Sequence, residues 1–148
     1  MSTEQSSCES LARGLWQLAD ASYDFGSPWT AEQFFDDLSN ERSNYLTRLE
    51  GNQVIGFISY RQMLDEIEID NIAVSPKMKG CGTAQSLMEE LVDIAKENKV
   101  VSVYLEVRSL NEAAVKFYKK NKFIKVGKRK GYYHGPDDDG ILMVRPVR

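Results

Sequence analysis

Histidine and cysteine are scarce in this chain of 148 residues, which carries one histidine, His134, and two cysteines, Cys8 and Cys81, far apart. One histidine excludes a multi-histidine site, and two distant cysteines form neither a zinc pattern nor a disulfide framework, so no metal is expected. No apolar run approaches the roughly 20 residues that a bilayer-spanning helix needs. Met1 to Ser10 is polar and acidic, unlike a secretory leader, so no membrane association and a cytoplasmic location are expected. Cations are not in surplus either: the net charge of −3 argues against a general nucleic-acid binder, which needs a basic face, and suits an amine-bearing cationic substrate. No repeat or linker divides the sequence. Its length predicts one domain over residues 1–148, with about the first nine as a flexible tail.

What is present is a regular alternation of helix and strand patterns. Leu11, Leu15, Leu18 and Ala19 recur at helical spacing, predicting a helix from Ser10 to about Ala21. Thr30 with Gln33 three residues on forms a capping box for a second helix that buries Phe34, Phe35 and Leu38. Tyr45 to Leu49 and Gln53 to Tyr60 flank Glu50-Gly51-Asn52 as a hairpin, and Asp65 marks a turn before Ile67, Ile69 and Ile72. A helix carrying Ala84, Leu87, Met88, Leu91, Val92 and Ala95 follows, then a strand from Val100 to Val107. A last helix bears Ala114, Val115, Phe117 and Tyr118, before strands at Phe123 to Lys128 and Ile141 to Val147. Gly131 to Gly140, with Asp137, Asp138 and Asp139, is predicted as an exposed loop. This order predicts an α/β fold with a twisted, mostly antiparallel sheet and helices on both faces. The connection from the Ile67 strand through a helix to the Val100 strand is the one place for a parallel pair, whose ends would splay around a ligand.

The stretch from Ile72 to Met88 runs a strand through a glycine turn into a helix. Pro76 ends the strand ladder by removing an N–H, and Gly80 and Gly82 permit a left-handed backbone. The helix that follows turns its first N–H groups and positive dipole end toward the turn, an arrangement suited to phosphate. A P-loop needs Lys-Ser or Lys-Thr after the second glycine, where Thr83-Ala84 stands. A dinucleotide fingerprint needs glycine or alanine where Gln85 stands. A ligand-free glycine turn is the competing reading.

Acyl transfer to an amine needs a base for the amine, stabilisation of an oxyanion and a proton for the leaving thiolate. Glu106, in Tyr104-Leu105-Glu106-Val107-Arg108, is the candidate base; a solvent-facing carboxylate paired with a neighbour such as Arg108 is the alternative. Tyr118 is the candidate acid or a half-buried core tyrosine. Asn111 caps the last helix or binds a cofactor amide.

Lys79-Gly80-Cys81-Gly82-Thr83-Ala84 resembles the Gln/Arg-x-x-Gly-x-Gly/Ala loop of the GCN5-related N-acetyltransferase (GNAT) superfamily. Asn71-Ile72-Ala73-Val74, Leu105-Glu106-Val107-Arg108-Ser109-Leu110-Asn111-Glu112-Ala113-Ala114, Phe117-Tyr118, Tyr132-Tyr133 and the turn Ser27-Pro28-Trp29-Thr30 are similar to the RimI-type ribosomal-protein alanine N-acetyltransferases. The resemblance implies a GNAT fold and acetyl-CoA as cosubstrate. It implies that Ile72, Ala73 and Val74 present backbone groups to pantetheine and acetyl, and that Lys79, Gly80, Cys81, Gly82, Thr83, Ala84 and Gln85 hold the pyrophosphate. Asn111 and Tyr118 would contact the cofactor, Glu106 would accept the amine proton through water, and Tyr118 would protonate the thiolate. Trp29, Tyr132 and Tyr133 would line the acceptor groove.

Three departures stand out: Lys79 replaces Gln or Arg, Lys122 replaces a glycine, and no apolar alternation before residue 10 supplies the family's opening strand. The expected acceptor is a protein N-terminal amine, with ribosomal-protein alanine first. A small amine such as a polyamine or antibiotic, or a non-catalytic acyl-CoA sensor, are the rival readings. Monomer or weak dimer is expected.

Overall fold

The computed structural model describes residues 3–147. Its elements are α1 (Thr3–Ser22), α2 (Ala31–Leu38), β1 (Ser43–Glu50), β2 (Gln53–Met63), β3 (Glu66–Val74), α3 (Thr83–Glu97), β4 (Ser102–Arg108), α4 (Glu112–Lys120), β5 (Ile124–Tyr133) and β6 (Asp138–Pro146). The strands order as β1-β2-β3-β4-β6-β5. β1 pairs with β2, β4 with β6 and β5 with β6 in antiparallel fashion, while β3 and β4 are parallel. This is the mixed, mostly antiparallel sheet that the element order predicts. The parallel ladder joins Glu66, Ile67 and Glu68 to Ser102, Val103 and Tyr104, and both strands run on beyond it, to Val74 and Arg108. Among the described residues no strand precedes β1.

By contacts the chain forms two compact units, one of residues up to Arg61 with Asp70–Glu90, the other of Gln62–Ile69 with the chain from Leu91 on. In the first, Ala12, Leu15, Leu18 and Ala19 of α1 meet Phe34, Phe57 and Ala73 in a buried cluster. Phe34 lies edge-on to Phe57 at 5.8 Å. The capping box forms as predicted: Gln33 N–H donates to Thr30 Oγ1 at 3.1 Å and Thr30 N–H to Gln33 Oε1 at 2.8 Å. At the other end of α2, Asp37 accepts from Ser43 at 2.6 Å and from Tyr45 at 2.5 Å, tying the helix to β1. Burial, then this bond to Asp37, push the Tyr45 phenol far above its ordinary range.

α1 begins at Thr3, not at Ser10. Residues 3–10 carry no apolar stripe, so periodicity does not register them, but Ser, Gln and Glu cost little in a helix once a nucleus exists.

In the second unit, Ile67, Leu91, Ala95, Val103, Leu105, Phe123 and Met143 are buried. The exposed loop is shorter than Gly131 to Gly140: β5 continues to Tyr133 and β6 starts at Asp138, so Asp137 stays in the exposed 134–137 turn while Asp138 and Asp139 open a strand. The reason is local hydrogen bonding. Asp138 Oδ2 accepts from Leu110 N–H at 2.9 Å, and Asp139 Oδ1 from Gly131 N–H at 2.8 Å. Asp139 Oδ2 lies 3.0 Å from Lys128 Nζ. The Gly131 N–H, and next Lys128, hold the Asp139 carboxyl below its usual range.

α4 ends where the family-type glycine is replaced. Lys122 nevertheless takes φ 71°, with Phe123 N–H returning to the Tyr118 carbonyl at 3.0 Å. This left-handed cap costs a non-glycine residue about 1 kcal/mol. Lys122→Gly is therefore expected to raise unfolding stability by about that amount, read as a higher urea midpoint at unchanged m-value. A lower midpoint would show that the Lys122 side chain contributes more than its backbone costs.

Candidate active site

The glycine turn lies in the first unit. β3 ends at Val74, Pro76–Met78 forms a single tight turn, and Cys81 N–H donates to the Met78 carbonyl at 3.1 Å. Gly80 and Gly82 have φ of 80° and 77°, and a Cβ on either would meet nothing within 4 Å. Backbone conformation, not space, demands glycine there. The first bond of α3 runs from Ser86 N–H to the Gly82 carbonyl at 2.9 Å, so the N–H groups of Thr83, Ala84 and Gln85 precede the helical ladder at its positive end. Lys79 and Cys81 are exposed. Arg48 of β1 pins this turn of α3, pairing with Glu90 at 2.8 Å and donating to Ser86 Oγ at 3.0 Å.

Gly56 was not singled out from sequence, yet it sets this approach. A Cβ there would stand 2.9 Å from Thr83 Cγ2 and 3.3 Å from Leu87 Cδ1, so β2 can lie against the first turn of α3 only without a side chain. A glycine inside an apolar strand was the available signal.

Along β3, Ile72 N–H donates to Tyr23 Oη at 3.1 Å and Val74 N–H to Ser22 Oγ at 3.3 Å. Between them Ala73 is buried. Ser22 and Tyr23, at the end of α1, were also missed; no local pattern reveals a partner some fifty residues away. Buried Asn71 donates to Ser59 Oγ at 3.1 Å, and Arg61 forms a two-point contact with Asp70 at 2.9 and 3.0 Å. Trp29 packs on the α1–α2 core, its ring 5.1 Å from Phe34.

The remaining predicted residues lie in the second unit. Glu106 is on β4, its Oε1 3.1 Å from Arg129 Nε of β5. Its Oε2 is buried and accepts no hydrogen bond among the described residues. The Arg129 guanidinium lies over the Tyr132 ring, 5.1 Å from its centroid. Tyr132 meets Tyr133 edge-on at 5.0 Å. Arg108 covers Tyr133 at 4.7 Å and donates to the carbonyls of His134 and Pro136, each at 2.8 Å. Burial first, then the charge of Glu106, push the Tyr133 phenol up to about 12. The structure thus gathers Glu106, Tyr132 and Tyr133 into one cluster and adds Arg129, Arg108 and Gly140 to it. Cys81 belongs to the glycine turn and His134, with Asp137 3.1 Å away, to the exposed 134–137 turn.

Asn111 caps α4, its Oδ1 accepting from Ala114 N–H at 3.2 Å. Tyr118 is buried, with Phe117 and Phe123 edge-on at 5.7 Å each. Among the described residues no group of three or more His, Cys, Asp or Glu side chains is placed to hold a metal ion, and no helix is long and apolar enough to cross a membrane.

A strand, a glycine turn with amides at a helix N-terminus, and a carboxylate with one unpartnered oxygen are the parts that amine acylation requires. Comparison with known proteins agrees. The sequence model of the acetyltransferase (GNAT) family matches residues 10–123. The ribosomal protein bS18-alanine N-acetyltransferase of Haemophilus influenzae is 39% identical over 122 residues, covering 78% of this chain and 80% of that protein. The crystal structure of the Escherichia coli ribosomal-protein-alanine N-acetyltransferase superposes with a TM-score of 0.83 at 26% identity, over 93% of this chain and 88% of the other. A Thermoplasma acidophilum N-acetyltransferase solved with coenzyme A shares the fold, with a TM-score of 0.74 at 18% identity over 93% and 94% of the two chains. On the glycine turn, the strand order and these matches, the chain belongs to the acetyltransferase (GNAT) family and is an N-acetyltransferase that uses acetyl-CoA.

Proposed function

We propose that this enzyme acetylates the N-terminal alanine amine of a ribosomal protein by direct transfer, as one catalytic domain acting in the cytoplasm as a monomer or weak dimer, without binding nucleic acid. The acceptor follows from the 39% identical relative's activity; the observation that carries the chemistry is Glu106, whose Oε2 is buried with no donor among the described residues. Acetyl-CoA supplies the acetyl group as a thioester. The amides of Gly80 to Gln85, with Lys79 beside them, bind the pyrophosphate, where the dipole of α3 favours negative charge. The N–H groups of Ile72 and Val74 pass from the hydroxyls of Tyr23 and Ser22 to the pantetheine and acetyl carbonyls, with Ala73 between them and Asn111 on a cofactor amide. Glu106 takes the proton of the acceptor ammonium through water, freeing the nitrogen lone pair for the carbonyl carbon. As the C–S bond breaks, Tyr118 gives its hydroxyl proton to the departing thiolate and regains one from the acylated nitrogen, which sheds its second proton as the amide forms. Trp29, Tyr132 and Tyr133 are the acceptor-binding residues.

Release of CoA with peptides led by Ala, Ser, Met or Gly, with polyamines and with aminoglycosides tests the acceptor. Turnover confined to alanine-led peptides is expected. Turnover with polyamines alone overturns the protein acceptor, and binding of acetyl-CoA without turnover on any acceptor favours a sensor. Glu106→Gln is expected to lower kcat by about 10²–10⁴-fold and to remove the acidic limb of the rate profile while leaving acetyl-CoA affinity intact. Unchanged turnover removes Glu106 from the mechanism. Tyr118→Phe is expected to spare binding and slow CoA release by a similar factor, about 10²-fold or more. A lowered melting temperature at full activity would make Tyr118 a core residue only.

A further inference from the structure

The two oxygens of the Glu106 carboxylate are not equivalent. Oε1 lies 3.1 Å from Arg129 Nε, while Oε2 is buried without a donor among the described residues. The sheet explains how. Arg108 of β4 pairs in register with Gly140 of β6, and Gly140 with Arg129 of β5. Directly opposed residues share a face, as do residues two apart on a strand, so Glu106, Arg108, Gly140 and Arg129 all project to one side. Arg129 must cross β6 to reach Glu106, and the residue in its path has no side chain. A Cβ on Gly140 would stand 3.3 Å from both Glu106 Oε2 and Tyr132 Cδ2. The guanidinium is held from its other side by the Tyr132 ring, and that ring by Tyr133, itself under Arg108.

We propose that Arg129 is a positioning residue for acetyl transfer: it holds Oε1 of Glu106, so that Oε2, in the space left by Gly140, is the oxygen that takes the acceptor proton. The inference rests on Glu106 being the base. The adjacent guanidinium fixes the rotation of the carboxylate, so a water-bridged proton meets an acceptor already aimed. Other charged or titratable groups near this face are Tyr132, Tyr133 and Lys128 of β5, Arg108 of β4, Asp138 and Asp139 of β6, and the His134 and Asp137 pair on the turn. Burial and the Glu106 charge push the Tyr133 phenol up to about 12, which leaves the carboxylates and His134 to be separated by experiment.

The test uses the full chain with acetyl-CoA and an alanine-led peptide, comparing wild type with Arg129→Gln, Arg129→Lys, Arg129→Ala and His134→Gln across pH. In parallel, the Glu106 side-chain carboxyl is followed by carbon-13 NMR in glutamate-labelled protein, its signal assigned with Glu106→Gln. Arg129→Gln is expected to lower kcat by about tenfold with the KM for acetyl-CoA unchanged. Removing the cation should move the acidic limb and the NMR midpoint up together. Arg129→Lys keeps the charge and so the limb, ethylguanidinium restores part of the rate of Arg129→Ala, and His134→Gln leaves the limb in place. An unmoved NMR midpoint in Arg129→Gln overturns the role of Arg129 and leaves Glu106 as base untouched. A midpoint that moves while the acidic limb stays overturns Glu106 as base, and the role of Arg129 with it.

Discussion

A buried carboxylate oxygen without a hydrogen-bond donor costs about 1–3 kcal/mol or more, because it gives up water and receives nothing. The second unit is arranged so that Glu106 Oε2 bears this cost. Arg129 holds Oε1, and the Tyr132 ring lies against the Arg129 guanidinium. Tyr132 is in turn fixed by Tyr133, and Tyr133 by Arg108, whose guanidinium is anchored on two backbone carbonyls of the 134–137 turn. The turn itself is short because Asp138 and Asp139 bond to Leu110 and Gly131. Each contact is modest. Together they leave one oxygen without a donor among the described residues, and on the proposed reading that oxygen receives the acceptor proton through water.

On the proposed reading the first unit meets a different constraint, the close approach of backbone to an anion. Gly80 and Gly82 have open space around them, so their value is conformational, whereas Gly56 has neighbours at 2.9 and 3.3 Å and its value is absence of bulk. The first pair shapes the turn, and the last lets β2 lie against the helix start. Arg48 then locks the same helical turn through Ser86 and Glu90, placing a side-chain cation where it compensates the acidic face of α3 without entering the turn.

Much of this was legible in the sequence where the signal is local. The Thr30–Gln33 capping box, the Gly51 hairpin and the strand-turn-helix at Gly80–Gly82 each follow from residues within one or two turns of chain, and the structure has them. The parallel pairing of β3 with β4 followed from element order alone. What was not legible depends on register. The pairing of Glu106 with Arg129 needs β5 placed against β6, and the ladder shifts between Arg129 and Tyr133, so counting residues back from the turn gives the wrong partner. Asp138 and Asp139 read as solvated because their partners, Leu110 and Gly131, are backbone N–H groups that no composition rule reveals. The early start of α1 escaped because a polar helix segment has no period to detect.

The bonds of Ile72 and Val74 bear on where binding energy for acetyl-CoA comes from. Their N–H groups already hold the hydroxyls of Tyr23 and Ser22. A ligand carbonyl that takes over such a donor exchanges one neutral hydrogen bond for another, so the net gain falls below the about 0.5–1.5 kcal/mol of a bond formed from nothing. Those amides therefore orient the thioester more than they retain it. Retention has to come from the charged end, where amides ahead of the α3 ladder and Lys79 meet a pyrophosphate and charge-assisted bonds are roughly twice as strong. On the proposed reading the glycine turn supplies affinity, and the N–H groups of Ile72 and Val74, released by a shift of two hydroxyl side chains, orient the thioester.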